Sequence, residues 1–232
     1  MLTLMMFPKA FGLYSASPFC VKAAYLMQLA GQPWRRQDLN DPRQMPHRKL
    51  PVLRTPERLV PDSEGIRAWL EAQGADFDRG LSDAQRAHAC ALVHMAEDHL
   101  YPFLVLDRWE NDAVWPVIRE TFFADIPRLL RKPVTKRIRA QVLRGLDFQG
   151  AARFSDVERR DRVERSLEAL TALLWQKPYL FGEYPTTADL SVAPMLAAMR
   201  ATPVATPLQR RIAEDRILSE YIDRMDETLL LT

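Results

Sequence analysis

The hydrophobic pattern of this chain changes near residue 75, and this change restricts the fold more than any other feature. Before that point short apolar runs alternate with helical segments, whereas after residue 80 only helical periodicity remains. A length of 232 residues is enough for two domains with separate cores. We therefore expect an α/β domain over residues 1–75, followed by an all-helical domain over residues 81–232.

The α/β domain is predicted to have the order β-α-β-(α)-β-β-α. An apolar run over 2–7 stops at Pro8, as a buried strand does, and Ser17-Pro18 begins a helix that Gly31 ends. The remaining elements are a strand over 34–39, a polar loop or weak helix over 40–49, a hairpin over 51–60 and a helix over 63–73.

The second domain is predicted to contain only helices, over residues 81–110, 112–145, 155–176, 186–199 and 207–231. Pro116, Pro127 and Pro133 are expected to break the second of these helices, because proline removes a backbone donor. Ser155 and Glu158 have the spacing of a capping box at the start of the third.

Composition and charge exclude several classes of protein. The 32 Lys and Arg against 30 Asp and Glu leave a formal charge of +2, so no overall field attracts nucleic acid or a membrane. Cys20 and Cys90 are too few for a disulfide framework and indicate a reducing compartment. No apolar run approaches the ~20 residues that cross a bilayer. We expect a cytoplasmic globular protein without a membrane span.

Three short segments carry residue types suited to ligand chemistry. Ser17 lies at a predicted helix start, where free backbone N–H groups favour an anion, although Ser17 could also be a simple cap. Cys20, one turn later, is expected to be a small buried residue. If the Leu50–Pro51 bond is cis, as only about 5–6% of X–Pro bonds are, the Leu50 backbone could pair with a peptide-like ligand. Asp62-Ser63 opens a helix and could hold charged ligand ends, or only cap it.

In this order and spacing, Ser17-Pro18-Phe19-Cys20, Leu50-Pro51, Asp62-Ser63 and Thr186-Thr187-Ala188-Asp189 resemble the glutathione S-transferase superfamily. Longer stretches over 17–22, 108–111 and 149–155 are similar to its Fax (failed axon connections) and metaxin-related branch. The resemblance implies a thioredoxin-like domain followed by an all-helical domain, and a homodimer.

The resemblance also implies a glutathione-binding site and an enzyme that conjugates glutathione to a small hydrophobic electrophile. Ser17 or Ser15 would activate the sulfur. Leu50, before a cis Pro51, would bind the cysteinyl part, while Asp62 and Ser63 would bind the γ-glutamyl end. Aromatic and histidine side chains of the helical domain would meet the electrophile, or else form its core: His94, His99, Tyr101, Phe103, Trp109, Trp115, Phe122 and Phe123.

Two alternative functions stay open from the sequence. The first is a non-catalytic module of the same fold that binds a ligand or partner. The second is glutathione-linked thiol redox chemistry through Cys20, which the Ser at position 17 disfavours. His94 and His99 are poorly spaced as metal ligands, so no metal is expected. Seven cations without an acid over 128–144 are typical of a solvated helix face, and nucleic acid is not the expected partner.

Overall fold

A computed structural model describes residues 1–229 of the chain. Four strands form one sheet in the order β2-β1-β3-β4: β1 Leu2–Met6, β2 Trp34–Asp38, β3 Val52–Arg54 and β4 Leu59–Pro61. Strand β1 runs parallel to β2 and antiparallel to β3, and β3 runs antiparallel to β4. Every residue of β1 is buried, which agrees with its apolar sequence and its central position.

Two helices complete the α/β domain: α1 Pro18–Leu29 and α2 Ser63–Ala72. Nine of the twelve residues of α1 are buried, because the helix packs against α2 and also against the central helix of the second domain. A helix that is apolar on most of its circumference requires such cover on both sides. The predicted thioredoxin-like arrangement is confirmed.

The second domain is helical throughout the described residues. Its helices are α3 Asp83–His94, α4 Tyr101–Trp109, α5 Trp115–Phe122, α6 Arg128–Gln149, α7 Asp156–Leu174, α8 Thr187–Arg200, α9 Pro207–Ala213 and α10 Arg216–Leu229, and a π-helical turn, Met95–Leu100, joins α3 to α4. Helix α8 is the centre of this domain, with thirteen of its fourteen residues buried.

The start of α8 is fixed by the buried carboxylate of Asp189. This carboxylate accepts hydrogen bonds from the Thr186 N–H at 2.8 Å, the Leu180 N–H at 2.9 Å and the Tyr221 hydroxyl at 3.0 Å. Burial raises the pKa of Asp189, although these donors act in the opposite direction. The segment Thr186–Asp189 therefore joins α8 both to the preceding turn and to α10.

Two predicted helix boundaries differ from the structure. Pro133 lies inside α6 without ending it, because the carbonyl left without a donor belongs to the highly exposed Leu129, where water can bind it. The predicted helix over 207–231 is interrupted near Asp215, whose carboxylate accepts from the Leu218 N–H at 3.1 Å and so begins a new helix. Residues 230 and 231 lie outside the described residues.

Candidate functional site

The predicted site residues of the first domain meet at one edge of the sheet. Met5 of β1 is opposite Val52 of β3, and Val52 is opposite Pro61 of β4, so the end of β1, the start of β3 and the end of β4 are neighbours. The Asp62 N–H then donates to the Pro51 carbonyl at 3.1 Å. This bond joins the start of α2 to the Leu50-Pro51 segment.

Ser15 forms hydrogen bonds within the loop between β1 and α1. It is fully buried, its hydroxyl donates to the Phe7 carbonyl at 2.7 Å, and its oxygen accepts from the Ser17 N–H at 3.4 Å. Because the hydroxyl proton is already bonded to a backbone acceptor, Ser15 has no donor left for a ligand. The geometry makes Ser15 a structural support of the Ser17 position.

Ser17 is the N-cap residue of α1, half-buried, and its hydroxyl makes no capping hydrogen bond. The structure therefore shows Ser17 at the N-cap position without a capping bond from its side chain. Its side chain lies near the Cys20 thiol and acts to lower the pKa of that group. A serine at this position has a hydroxyl that the backbone of the helix does not use.

Cys20 is fully buried, as expected. Burial raises the pKa of its thiol to about 11, and this effect exceeds the opposing influence of the Phe7 backbone, Ser17 and Ser15. The thiolate is the reactive form of cysteine, so at neutral pH this side chain is almost entirely the unreactive thiol. The redox alternative lacks the accessible thiolate that it requires.

The backbone N–H and carbonyl of Leu50, just before the start of β3, are unpaired within the described residues. The Leu50–Pro51 peptide bond is cis, as the resemblance implied. Neither the N–H nor the carbonyl of Leu50 has a hydrogen-bond partner among residues 1–229, although the residue itself is only 6% exposed. Buried backbone groups are almost always paired, so this pair of groups is available to a ligand.

The first turn of α2 has the geometry of an anion site. Asp62 adopts a φ of 70°, and its carboxylate accepts from the Glu64 N–H at 2.9 Å. The Ser63 and Gly65 N–H groups have no acceptor within the described chain. The Ser63 hydroxyl likewise has no hydrogen-bond partner among the described residues, although Ser63 is only 1% exposed. Free donors at a helix amino terminus bind carboxylates.

A buried ion-pair network beside these residues was not predicted from the sequence. The ammonium of Lys22, a residue only 1% exposed, contacts the carboxylates of Glu64 in α2 and Glu97 in the π-helical turn. Arg67 also donates to Glu64, at 2.6 Å. Burial raises the pKa of Glu64, but Lys22 and Arg67 outweigh burial and leave it below its ordinary value. A lysine within an apolar stretch of α1 was the available sequence signal.

An aromatic cluster of the second domain meets the β1–α1 loop. Trp115 is buried, and around it lie four half-buried rings, from Phe11, Trp109, Phe122 and Phe123. The Phe11 ring, in the first domain, is 5.7 Å from that of Phe122. A turn with positive φ at Phe11 and Gly12 places the ring there. The cluster is therefore an apolar surface shared by both domains.

The other predicted lining residues are placed differently. His94 pairs with Asp98 at 2.9 Å on the exposed side of α3, and the His99 ring packs against Phe103. Tyr101 packs edge-on against Phe19 of α1, with ring centroids 4.8 Å apart. In residues 1–229 no three His, Cys, Asp or Glu side chains are grouped as metal ligands. Within the same residues, no helix has the length and apolarity to span a membrane.

Comparisons with known proteins agree with this architecture. A glutathione S-transferase N-terminal domain model matches residues 18–114, and a glutathione S-transferase C-terminal domain model matches residues 132–224. Isoprene-epoxide–glutathione S-transferase of Rhodococcus sp. (strain AD45) is 29% identical over 203 residues, which are 83% of this chain and 84% of that protein.

Two further similarities concern more distant proteins. Metaxin-1 of Mus musculus is 26% identical over 182 residues, which are 74% of this chain but only 57% of the metaxin. A glutathione S-transferase of Ceriporiopsis subvermispora, solved in complex with glutathione, has a TM-score of 0.64 at 13% identity, with 99% of this chain and 97% of that chain covered. At this identity the structural likeness is one of fold.

Proposed function

Because the chain belongs to the glutathione S-transferase superfamily, with metaxin-like relatives, we propose that it binds glutathione and conjugates it to a small hydrophobic electrophile. The site would be the sheet edge that joins Ser17, Leu50-Pro51 and Asp62-Ser63. The observation that carries the proposal is the unpaired Leu50 backbone beside the free N–H groups of α2.

The cysteinyl part of glutathione would pair with Leu50 as a neighbouring strand does. The Leu50 N–H would donate to the cysteinyl carbonyl, and the Leu50 carbonyl would accept the cysteinyl N–H. This pairing satisfies two buried groups that otherwise have no partner in the described chain. It would also fix the direction in which the cysteinyl side chain points.

The γ-glutamyl end of glutathione would occupy the start of α2. Its carboxylate would accept from the Ser63 N–H and hydroxyl, where the partial positive charge of the helix end adds to the attraction. The exposed Asp62 carboxylate, at the same helix start, would accept from the α-ammonium. Both charged groups of the γ-glutamyl residue would thus meet a complementary group.

The Ser17 hydroxyl would stabilise the reacting sulfur. A hydrogen bond from this hydroxyl favours the thiolate of glutathione over the thiol, whose proton passes to solvent. The thiolate then attacks an electrophilic carbon. A carbon–sulfur bond forms, and the bond to the leaving atom, such as an epoxide oxygen, breaks with its electron pair. We assign this role to Ser17 rather than Ser15, because the Ser15 hydroxyl already donates to the Phe7 carbonyl.

The aromatic cluster around Trp115 would hold the electrophile. It is apolar, partly exposed and reached by Phe11, which belongs to the same loop as Ser17. Binding sites for apolar molecules have this composition. The name of the Rhodococcus relative gives an epoxide as its substrate, which supports a small electrophile of this class.

Calorimetric titration with reduced glutathione tests the binding step. We expect binding by the parent protein, weakened about tenfold or more by Ser63→Ala, because a hydrogen bond to a charged group contributes roughly 1.5–3 kcal/mol. Ser17→Ala should retain binding but raise the pKa of the bound thiol, read from thiolate absorbance. Ser82→Ala, at the exposed cap of α3, is the matched control. Absence of heat and of thermal stabilisation at millimolar glutathione would contradict the proposal.

The second candidate function is a non-catalytic module of the same fold, as the resemblance to the metaxin-related branch implied; metaxin-1 is among the similar proteins. Turnover separates the two functions. In this test the protein is incubated with glutathione and a general electrophile such as an activated halonitrobenzene. If glutathione binds but the electrophile is not consumed, the result supports the non-catalytic module. Consumption that depends on Ser17 would support the transferase.

We also propose that the protein is a homodimer and acts in the cytoplasm. The family resemblance supports the first property, and the two free cysteines, which indicate a reducing environment, support the second. Sedimentation equilibrium measures the first property, and fractionation of the source cell measures the second. A monomer at micromolar concentration would contradict the dimer.

A further inference from the structure

Helix α6 is poorly covered by the rest of the protein. Of its 22 residues, only Thr135 is buried. Its carboxyl-terminal part is held by Arg139, which donates to the Trp109 carbonyl at 2.5 Å and lies over the Trp115 ring. Its amino-terminal part, residues 128–137, is exposed except at Arg131 and Thr135. A long helix exposed in this way has a surface free for a partner.

The charge of this helix has one sign. Residues 128–146 contain seven Lys or Arg and no Asp or Glu. Arg131 pairs with Glu120, and Arg139 pairs with Asp112. The other five cations form no ion pair with a described residue: Arg128, Lys132, Lys136, Arg137 and Arg144. The formal charge of the whole chain is only +2, so the residues outside this segment have a formal charge of −5. An anionic partner is therefore attracted only to α6.

The same part of the helix exposes apolar side chains. Leu129 is 92% exposed, Leu130 56% and Val134 37%, and Pro133 is exposed as well. At about 100° per residue these four lie on the side of α6 opposite Thr135. We call them, with the neighbouring cations Lys132, Lys136 and Arg137, the amino-terminal face of α6. Apolar residues bordered by Lys and Arg are the composition of helices that lie on lipid surfaces.

We propose that the amino-terminal face of α6 binds the surface of an anionic phospholipid bilayer. The four apolar side chains would enter the interface between headgroups and acyl chains, and the cations would contact lipid phosphates. A nucleic acid would pair with the cations but leave Leu129 and Leu130 in water. A second copy of the same face would bring six cations together. A bilayer of anionic lipid satisfies both the charge and the apolar surface.

The orientation on the membrane follows from the same charges. Since the remainder of the chain carries a net negative charge, an anionic surface repels it while attracting α6. The protein would therefore lie on the bilayer through one end of a helix of the second domain, without spanning it. This attachment is independent of glutathione binding, so either property can fail without the other.

Co-sedimentation with vesicles tests the proposal. We expect binding to phosphatidylcholine vesicles that contain about 30% phosphatidylserine, with weaker binding at high salt and little binding to phosphatidylcholine alone. Lys132→Gln/Lys136→Gln/Arg137→Gln should lower the partition coefficient about a hundredfold, at roughly fivefold for each cation. Arg160→Gln/Arg165→Gln/Lys177→Gln, which removes three exposed and unpaired cations elsewhere, is the control for net charge and should retain most binding.

Leu129→Gln/Leu130→Gln distinguishes insertion from charge attraction alone. We expect a loss of vesicle binding of about tenfold or more, since two exposed leucines leave water when they insert, with unchanged binding to an RNA oligonucleotide. Equal losses in the two triple variants would overturn the proposal. So would unchanged vesicle binding in the leucine variant, or RNA binding without vesicle binding. Circular dichroism melting confirms that each variant is folded.

Discussion

Replacement of Lys22 by methionine tests the buried network that joins α1, α2 and the π-helical turn. Methionine keeps most of the volume of the side chain but removes the ammonium. Glu97, 14% exposed, then loses the partner at 2.5 Å. Glu64, 38% exposed, keeps only Arg67. The variant thus leaves two carboxylates in a poorly hydrated environment with less positive charge beside them than in the parent protein.

The expected cost follows from this geometry. Removal of one member of a buried ion pair destabilises proteins by about 3–5 kcal/mol. Because Glu64 retains Arg67 and part of its hydration, we expect the lower end, about 3 kcal/mol. For a chain of this size that corresponds to a fall in Tm of roughly 6–12 °C. Lys22→Met/Glu97→Gln should recover at least about 1 kcal/mol, because the two residues are coupled.

Urea unfolding, monitored by circular dichroism and by tryptophan fluorescence, measures these changes in the free energy of unfolding. The two probes also show whether both domains unfold together. Lys132→Met, which removes an exposed lysine without an ion pair in the described chain, is the control and should stay within about 0.5 kcal/mol of the parent. A loss below about 1 kcal/mol for Lys22→Met, or strict additivity with Glu97→Gln, would refute the reasoning.

Four further results are expected. Ser15→Ala should cost roughly 1 kcal/mol in urea unfolding, because the Phe7 carbonyl loses its nearer donor and keeps only Arg36, at 3.5 Å. We expect kcat of the folded protein to stay unchanged; a large fall in kcat would indicate that Ser15 acts in catalysis. Asp189→Ala leaves four donors from Leu180, Thr186 and Tyr221 without an acceptor and should destabilise by about 3 kcal/mol or more, which unfolding or loss of soluble protein would reveal; an unchanged midpoint contradicts the role of this carboxylate. Phe122→Ala should raise KM for an apolar electrophile about tenfold, since the contact with a half-buried ring contributes roughly 1.4 kcal/mol. The Kd for glutathione should not change. Equal changes in KM and Kd would show that the aromatic cluster does not bind the electrophile specifically. The pKa of Glu64 lies below its ordinary 4.5 in the folded protein, so its charge stabilises the fold fully above pH 4.5 and this contribution is lost as the pH falls through the lowered value; Glu64→Gln should flatten the acid limb of stability against pH, and parallel curves would contradict the pairing.

The pattern of strands and helices could be read from the sequence because each element has a local signal. The apolar run of β1, the Ser-Pro start of α1 and the capping serine of α7 all lie where they were expected. Two helix boundaries differed, one because exposure decides it and one because the prediction did not include the capping aspartate three residues before Leu218. Hydration of the Leu129 carbonyl lets α6 continue through Pro133, and Asp215 divides the last predicted helix.

The candidate site could be located but not fully described from the sequence. The positions of Leu50-Pro51 and Asp62-Ser63 were predicted from the family resemblance, whereas the bond between Pro51 and Asp62 depends on strand register. The difference between Ser15 and Ser17 depends on the direction of one hydroxyl, which spacing does not encode. The Lys22 network joins residues 42 and 75 positions apart, and no local pattern reports such a contact.

The free amide and carbonyl of Leu50 have an evolutionary consequence. Both groups belong to the main chain, so almost any residue at that position presents them, and substitution leaves this part of ligand recognition intact. Sulfur activation, by contrast, would depend on one hydroxyl at Ser17, which a single codon change removes. A protein built in this way can lose its rate in one step while keeping its ligand, and a lineage of enzymes can thereby give rise to binding proteins without any change of fold.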